Sequence, residues 1–221
     1  MQRSVTGSMM MNMFGIPFVG GDICGFMGEN SSPELCARWH QVGAFQPFSR
    51  NHRDCDGKPQ EPYRFVNNTI LNGTVSLTDL MRKSINEKYS LIRYYYTHLF
   101  LLSQDFSTNG AFYKPVFFEF PNLDGAYRAE PSENVMLGPS LKLSIKTTAN
   151  KNWDSEKNPY FFPAGKWCDV LHPETECVFS QGDEMKALPA GLKDYQLHLR
   201  DGHIIPFQNA SALNISKSED L

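Results

Sequence analysis

Asp22, Arg50 and His52 stand where apolar, extended-looking runs give way to polar loops. Asp22 follows Gly15-Ile-Pro-Phe-Val-Gly-Gly21, and Arg50 and His52 follow Ala44-Phe-Gln-Pro-Phe48. A carboxylate accepts hydrogen bonds, a guanidinium holds a neighbouring carboxylate with a two-pronged contact, and an imidazole donates to a hydroxyl. Read alone, Asp22 is either a turn residue on a solvated loop or an active-site carboxylate at the rim of a parallel barrel. Arg50 and His52 alone read first as a solvated loop pair.

The elements that must carry these residues follow a strand, loop, helix, strand, polar-loop order, the unit of parallel sheets and (β/α)8 barrels. Residues 14–19 are too uniformly apolar for a strand with one wet face and predict one buried on both sides. In Asn30-Ser-Ser-Pro-Glu34, Ser31 or Ser32 can cap the free amides of a helix, Pro33 sits where no amide is needed, and Glu34 suits the positive end. Leu35, Trp39 and Val42 fall on one stripe of that helix, which Gly43 ends. Trp39 reads as core. Ser76-Leu-Thr-Asp79 starts another helix, and Leu77, Leu80, Met81, Ile85, Tyr89, Ile92, Tyr96 and Leu99 keep helical spacing through one long amphipathic helix to about Phe100.

Beyond Gln104 the period changes. Short apolar runs at 115–121, 135–137, 141–145, 160–162, 166–170, 195–199 and 203–207, separated by Gly, Pro and Asn, predict an antiparallel sandwich. The expected organisation is residues 1–138 in the barrel-like part, 139–208 in the sandwich, a polar loop over 146–158 and a patternless, disordered tail over 209–221. About two parallel strands precede the β-rich half, whereas a barrel needs eight; either the chain is an incomplete piece of a larger enzyme or the barrel reading does not hold. No internal repeat is present.

With 221 residues, 41% hydrophobic and 13% aromatic, the chain can fill a packed core. A net charge of −3 and no long basic cluster argue against nucleic acid or an anionic membrane surface as partner. No run reaches the roughly 20 apolar residues of a membrane span. Five Asn-x-Ser/Thr sequons, at Asn30, Asn67, Asn72, Asn209 and Asn214, favour a secretory route. Cys24 and Cys36 bracket one short loop and Cys168 and Cys177 another, leaving Cys55 over; spacing alone allows two local disulfides or five thiols. The cysteines offer no zinc pattern, Asp54-Cys-Asp-Gly57 lacks the later ligands of a calcium loop, and the glycines form neither a P-loop nor a dinucleotide fingerprint. Glu119, alternating with Phe118 and Phe120, is expected to face a polar neighbour in the fold.

Gly15-Ile-Pro-Phe-Val-Gly-Gly-Asp-Ile-Cys-Gly-Phe26, Glu34-Leu-Cys-Ala-Arg-Trp39 and Gly43-Ala-Phe-Gln-Pro-Phe-Ser-Arg-Asn-His52 closely resemble family 31 glycoside hydrolases, in the α-glucosidase branch. Gln60-Glu-Pro62, Arg93-Tyr-Tyr-Tyr96, Pro115 to Pro121, Tyr160 to Asp169 and Leu199 to Pro206 keep to the pattern in order, so the resemblance covers roughly residues 4–208. It implies an α/β plus all-β chain: the last two strands and closing helix of a (β/α)8 TIM barrel, then an antiparallel β-sandwich. It further implies that Asp22, Phe26, Arg50 and His52 line a sugar subsite and that Cys24 and Cys36 form a disulfide. The family commonly has Ala where this chain has Gly21, which would loosen that turn.

Retaining glycoside hydrolysis uses two carboxyl groups about 5 Å apart. The family's Trp-x-Asp-Met-Asn-Glu and Gly-Asp-Asn segments, which supply them, do not occur here. No catalytic role therefore transfers to a residue of this chain, and Asp22 fits a supporting role, accepting hydrogen bonds from sugar hydroxyls as charge develops. The implied function is part of a retaining, exo-acting α-glucosidase that uses no cofactor or metal and acts on α-linked glucose of oligosaccharides. Its partner would be the rest of the same enzyme, and its setting the secretory pathway, lysosomal or extracellular. The alternative is a non-catalytic carbohydrate-binding or interaction module derived from such an enzyme.

Overall fold

The computed structural model describes residues 1–27, 32–70, 73–105, 110–148 and 156–210. Helix α1 (Gln2–Met13) leads into β1 (Asp22–Ile23), α2 (Pro33–Phe45) and β2 (Arg50–Asn51). A small antiparallel pair, β3 (Thr69–Ile70) and β4 (Val75–Ser76), precedes α3 (Leu77–Ser90) and α4 (Ile92–Gln104). The β-rich part runs β5 (Tyr113–Pro115), α5 (Asp124–Arg128), β6 (Asn134–Leu137), β7 (Leu141–Ser144), β8 (Lys157–Phe162), β9 (Gly165–Asp169), β10 (Val178–Ser180), β11 (Glu184–Pro189) and β12 (Gln196–Arg200).

The two chemistries of the sequence separate as the changing period predicts. β1 and β2 pair in parallel, Asp22 opposite Arg50 and Ile23 opposite Asn51. The later strands form an antiparallel six-stranded sheet in the order β10-β9-β12-β7-β6-β5, and β8 and β11 form a separate antiparallel pair. Met136 and Trp167 of the sheet pack with Tyr160, Phe161 and Phe162 of β8 in one buried cluster. A second cluster joins the halves: Val5 and Met9 of α1, Val42 and Phe45 of α2 and Tyr94 and Tyr95 of α4 meet Val135, Leu143 and Leu197 of the sheet. Strands on both sides of residue 138 thus share a sheet.

Several expectations are corrected. Residues 14–19 are not a buried strand: Phe14, Ile16 and Phe18 are exposed, and Phe48 N donating to Val19 O at 3.2 Å gives that segment its link to its neighbour. A parallel strand loses its apolar faces to flanking strands and helices, and among the described residues no third parallel strand flanks β1 and β2. Strand geometry is also withheld from 44–48, because α2 continues through Gly43 to Phe45. A Cβ at Gly43 would lie 2.4 Å from Ile23 Cγ1, so this glycine brings the helix against β1 instead of stopping it. The face of α2 turns with it: Cys36, Ala37, His40 and Ala44 are buried and Leu35 is exposed, while Trp39 packs half-buried against a smaller core.

The long helix is two. Ser76 caps α3 through Asp79 N at 3.3 Å, as expected, but the chain breaks at fully buried Leu91, and the Ser90 carbonyl accepts Gln208 N at 3.0 Å. Tyr94, Tyr95 and Leu102 then face the core. The run at 115–121 is a strand only to Pro115, followed by a 3-10 turn, and 203–207 is irregular, with Ile204 exposed. Glu119 pairs with Lys114 as a buried-side ion pair. The expected loop at 146–158 is described only at its ends, and the tail after residue 210 lies outside the described residues.

Candidate functional site

The parallel register sets Asp22 beside Arg50 at the same end of two neighbouring strands. Arg50 Nη2 donates to Asp22 Oδ1 at 2.8 Å and Nε to the same oxygen at 3.2 Å. Both prongs of the guanidinium close on one carboxylate oxygen, which orients the group and leaves Oδ2 outside the contact. The pair is accessible: the Arg50 side chain is 51% exposed and that of Asp22 27%. Three residues past β1 and one past β2, Phe26 and His52 stack, ring centres 5.2 Å apart at 28°, and the Phe26 carbonyl accepts Asp54 N at 2.9 Å. The two strand ends and the loops after them thus carry one polar pair and one aromatic pair.

The loops are fixed from behind. Cys24 and Cys36 form a disulfide between the loop after β1 and the first turns of α2, and Ser32 caps that helix by accepting Leu35 N at 3.2 Å. His40 Nδ1 donates to the Cys36 carbonyl at 2.8 Å, and burial lowers the imidazole's pKa. Cys24, Cys36 and His40 lie close enough for a metal site, but the two sulfurs are bonded to each other and have no thiolate to offer. Gly21 is not loose: its amide donates to Gln46 Oε1 at 2.8 Å, and a Cβ there would meet Ser4 Oγ at 2.2 Å. Asp54 Oδ1 accepts Gly57 N at 2.8 Å, which turns its loop. Cys168 and Cys177 form the second disulfide and Cys55 is an exposed thiol.

One residue acquires a role that its place in a motif did not indicate. Gln60 is 4% exposed and its side-chain amide lies between the Asp22 and Arg50 loops. The signal available in sequence was a lone amide residue in Gln60-Glu-Pro62, which says nothing of direction. An apolar cleft of about 550 Å³ also lies nearby, lined by Phe18, Phe48, Ile85, Ile92, Tyr96 and Leu99 among others; none of Asp22, Phe26, Arg50 or His52 lines it. It takes up the exposed half of the predicted α3–α4 stripe. Of the sequons, Asn67 and Asn209 are exposed in irregular backbone, and Asn30, Asn72 and Asn214 lie outside the described residues.

Comparison with known proteins gives one consistent answer. Residues 1–98 match the glycosyl hydrolases family 31 TIM-barrel domain and residues 110–205 the glycosyl hydrolase family 31 C-terminal domain. The lysosomal α-glucosidase of Bos taurus is 35% identical over 218 residues, covering 93% of this chain and 21% of the relative. The probable maltase-glucoamylase 2 of Homo sapiens is 33% identical over 98% of this chain and 8% of its own length. Among solved structures, the glucosidase II alpha subunit bound to Glc1Man2 superposes with a TM-score of 0.78 at 22% identity, over 94% of this chain and 21% of that one. A Flavobacterium johnsoniae family 31 dextranase complexed with glucose gives 0.77 at 24%, over 94% and 23%. These likenesses show the fold, and the chain spans about a fifth of the length of the lysosomal relative. With both domain matches in order along one chain, this protein belongs to glycosyl hydrolase family 31.

Proposed function

We propose that this chain is the C-terminal part of a retaining, exo-acting α-glucosidase and that Asp22, Phe26, Arg50 and His52 form its share of the subsite for the terminal glucose. The observation that carries the reading is the Arg50–Asp22 contact at 2.8 Å across a parallel register, beside the stacked Phe26–His52 pair. Arg50 holds the Asp22 carboxylate in one orientation, and Asp22 accepts from sugar hydroxyls whose acidity rises as the ring becomes oxocarbenium-like. His52 donates to a hydroxyl, and Phe26 packs on the ring face. The nucleophilic and acid/base carboxylates come from earlier barrel strands, since the segments that hold them are not in this sequence.

On this reading residues 1–138 supply the last two barrel strands and closing helices, and residues 139–208 the sandwich, onto whose sheet β5 and β6 add. The rest of the enzyme is the partner, α-linked gluco-oligosaccharides are the substrate, and the sequons with the two disulfides fit a secretory, lysosomal or extracellular setting. No cofactor or metal takes part.

The test has two arms. The purified 221-residue chain should release no 4-nitrophenol from 4-nitrophenyl α-glucoside, and should do so when co-expressed with a family 31 segment carrying the two aspartates. Turnover by the chain alone contradicts the division of labour. The absence of both aspartate segments also supports a second reading, a carbohydrate-binding module; maltose binding with no activity under co-expression selects it.

A further inference from the structure

We propose that Gln60 is the positioning residue of this site, a buried amide that sets the distance between the Asp22–Phe26 loop and the Arg50–His52 loop; the proposal rests on the glucose-subsite reading above. Gln60 Nε2 lies 3.1 Å from Ile23 O, 3.1 Å from Gly25 O and 3.0 Å from His52 O. Two N–H groups serve three carbonyls, so one proton is shared. The Gln60 main-chain carbonyl accepts Asn51 Nδ2 at 2.9 Å, which ties it to the second strand again.

The need for such a residue follows from the length of the strands. β1 and β2 have two residues each, so Ile23 stands at the end of the ladder and Gly25 and His52 lie beyond it. A buried carbonyl left unpaired costs about 1–3 kcal/mol. Gln60 supplies the missing donors, and does so to atoms that flank all four site residues: Ile23 follows Asp22, Gly25 precedes Phe26, and Asn51 and His52 follow Arg50. The polar pair and the aromatic pair are thereby held at one spacing. Glutamate would aim oxygen at three carbonyls, methionine would fill the space with no donor, and asparagine is one methylene short.

Three measurements on the full chain test this. In Gln60→Met, the upfield displacement of the His52 ring protons by the Phe26 ring should collapse, and maltose affinity by calorimetry should fall about tenfold, the equivalent of one net hydrogen bond. In Gln60→Glu both should recover toward the wild-type values measured at the same pH as pH falls through the carboxyl's titration, because the neutral acid regains one donor; Gln60→Met, which fills the space without a donor, shows no such recovery. If neither variant folds, the wild-type Gln60 side-chain amide protons decide, exchanging far more slowly than those of exposed Gln181. Unchanged His52 shifts and maltose affinity in Gln60→Met, or amide protons that exchange as freely as those of Gln181, overturn the proposal. A wild-type chain that binds no maltose while the His52 displacement still depends on Gln60 sinks the glucose reading and leaves the positioning role standing.

Discussion

The guanidinium of Arg50 closes on a single oxygen of Asp22, Nη2 at 2.8 Å and Nε at 3.2 Å, across a parallel register that aligns the two residues. An exposed ion pair of this kind adds little to stability, about 0–1 kcal/mol. Its value to the molecule is orientation, and that separates two measurable quantities. Arg50→Ala should shift the denaturant midpoint only slightly and weaken maltose binding by about tenfold or more. Equal loss of stability and affinity would show that the pair is a structural contact only.

The Cys24–Cys36 disulfide joins the Asp22 loop to α2 across a separation of 12 residues. A loop of that size corresponds to about 3 kcal/mol in the chain-entropy account. Replacing both cysteines by alanine should lower stability by about 2–4 kcal/mol and, by releasing the loop, weaken maltose binding. Cys168→Ala with Cys177→Ala, far along the chain from the site, should cost stability alone. Calorimetric melting and titration on both double variants check the contrast; parallel losses of affinity contradict it.

Lys142 lies fully buried on β7, donating to Ser144 Oγ at 2.7 Å with its ammonium 4.2 Å from the centre of the Phe162 ring. Burial brings its pKa down to about 7 from 10.5, and neighbouring His198 is driven down to about 3 by burial and by Lys142. For a lysine lowered in the folded state, the unfolded chain binds the proton more readily between those two values, so this group's contribution to stability rises with pH from about 7 towards 10. Below pH 7 its full penalty applies. Lys142→Met should therefore be the more stable protein at pH 6 by on the order of a few kcal/mol, with the difference narrowing by pH 9. Urea unfolding at the two pH values tests this, and a variant less stable at pH 6 contradicts it.

Gly43 lets α2 lie against β1. Gly43→Ala places a methyl 2.4 Å from Ile23 Cγ1 and 2.6 Å from its Cδ1. The expected cost is about 1–3 kcal/mol, the range for overpacking. The double variant with Ile23→Ala should lose less than the sum of the two single variants, since the clash is with Cγ1 and Cδ1 of that side chain. Additive losses would locate the strain in the backbone.

What could be read from the residues was what local rules decide. Ser32 and Ser76 announce helix starts because capping is a contact over three residues, and the strands at 134–137, 141–144 and 196–200 show themselves by short apolar runs between turns. α1 was silent: its buried face, Val5, Ser8, Met9 and Asn12, is half polar, and Asn12 is held by accepting Tyr113 N at 3.1 Å from across the fold. β10 and β11 were missed because their outward Phe179 and Met185 and alternating charges show little apolar pattern. At the break the Ser90 carbonyl accepts Gln208 N, more than a hundred residues away, a partner that no local pattern announces. In the site, Asp22, Arg50 and His52 were legible as polar residues at the ends of apolar runs, whereas the direction of the Gln60 amide was not, because it is set by three carbonyls from two other loops.

The central claim is that Asp22, Phe26, Arg50 and His52 share one glucose-sized surface. Titrating isotopically labelled chain with maltose and following the amide and side-chain resonances tests it most directly. The account predicts saturable shifts concentrated at Asp22, Gly25, Phe26, the Arg50 guanidinium and the His52 ring. Shifts centred instead on the apolar cleft of Phe48, Ile92 and Tyr96, or no shifts at all, would contradict it.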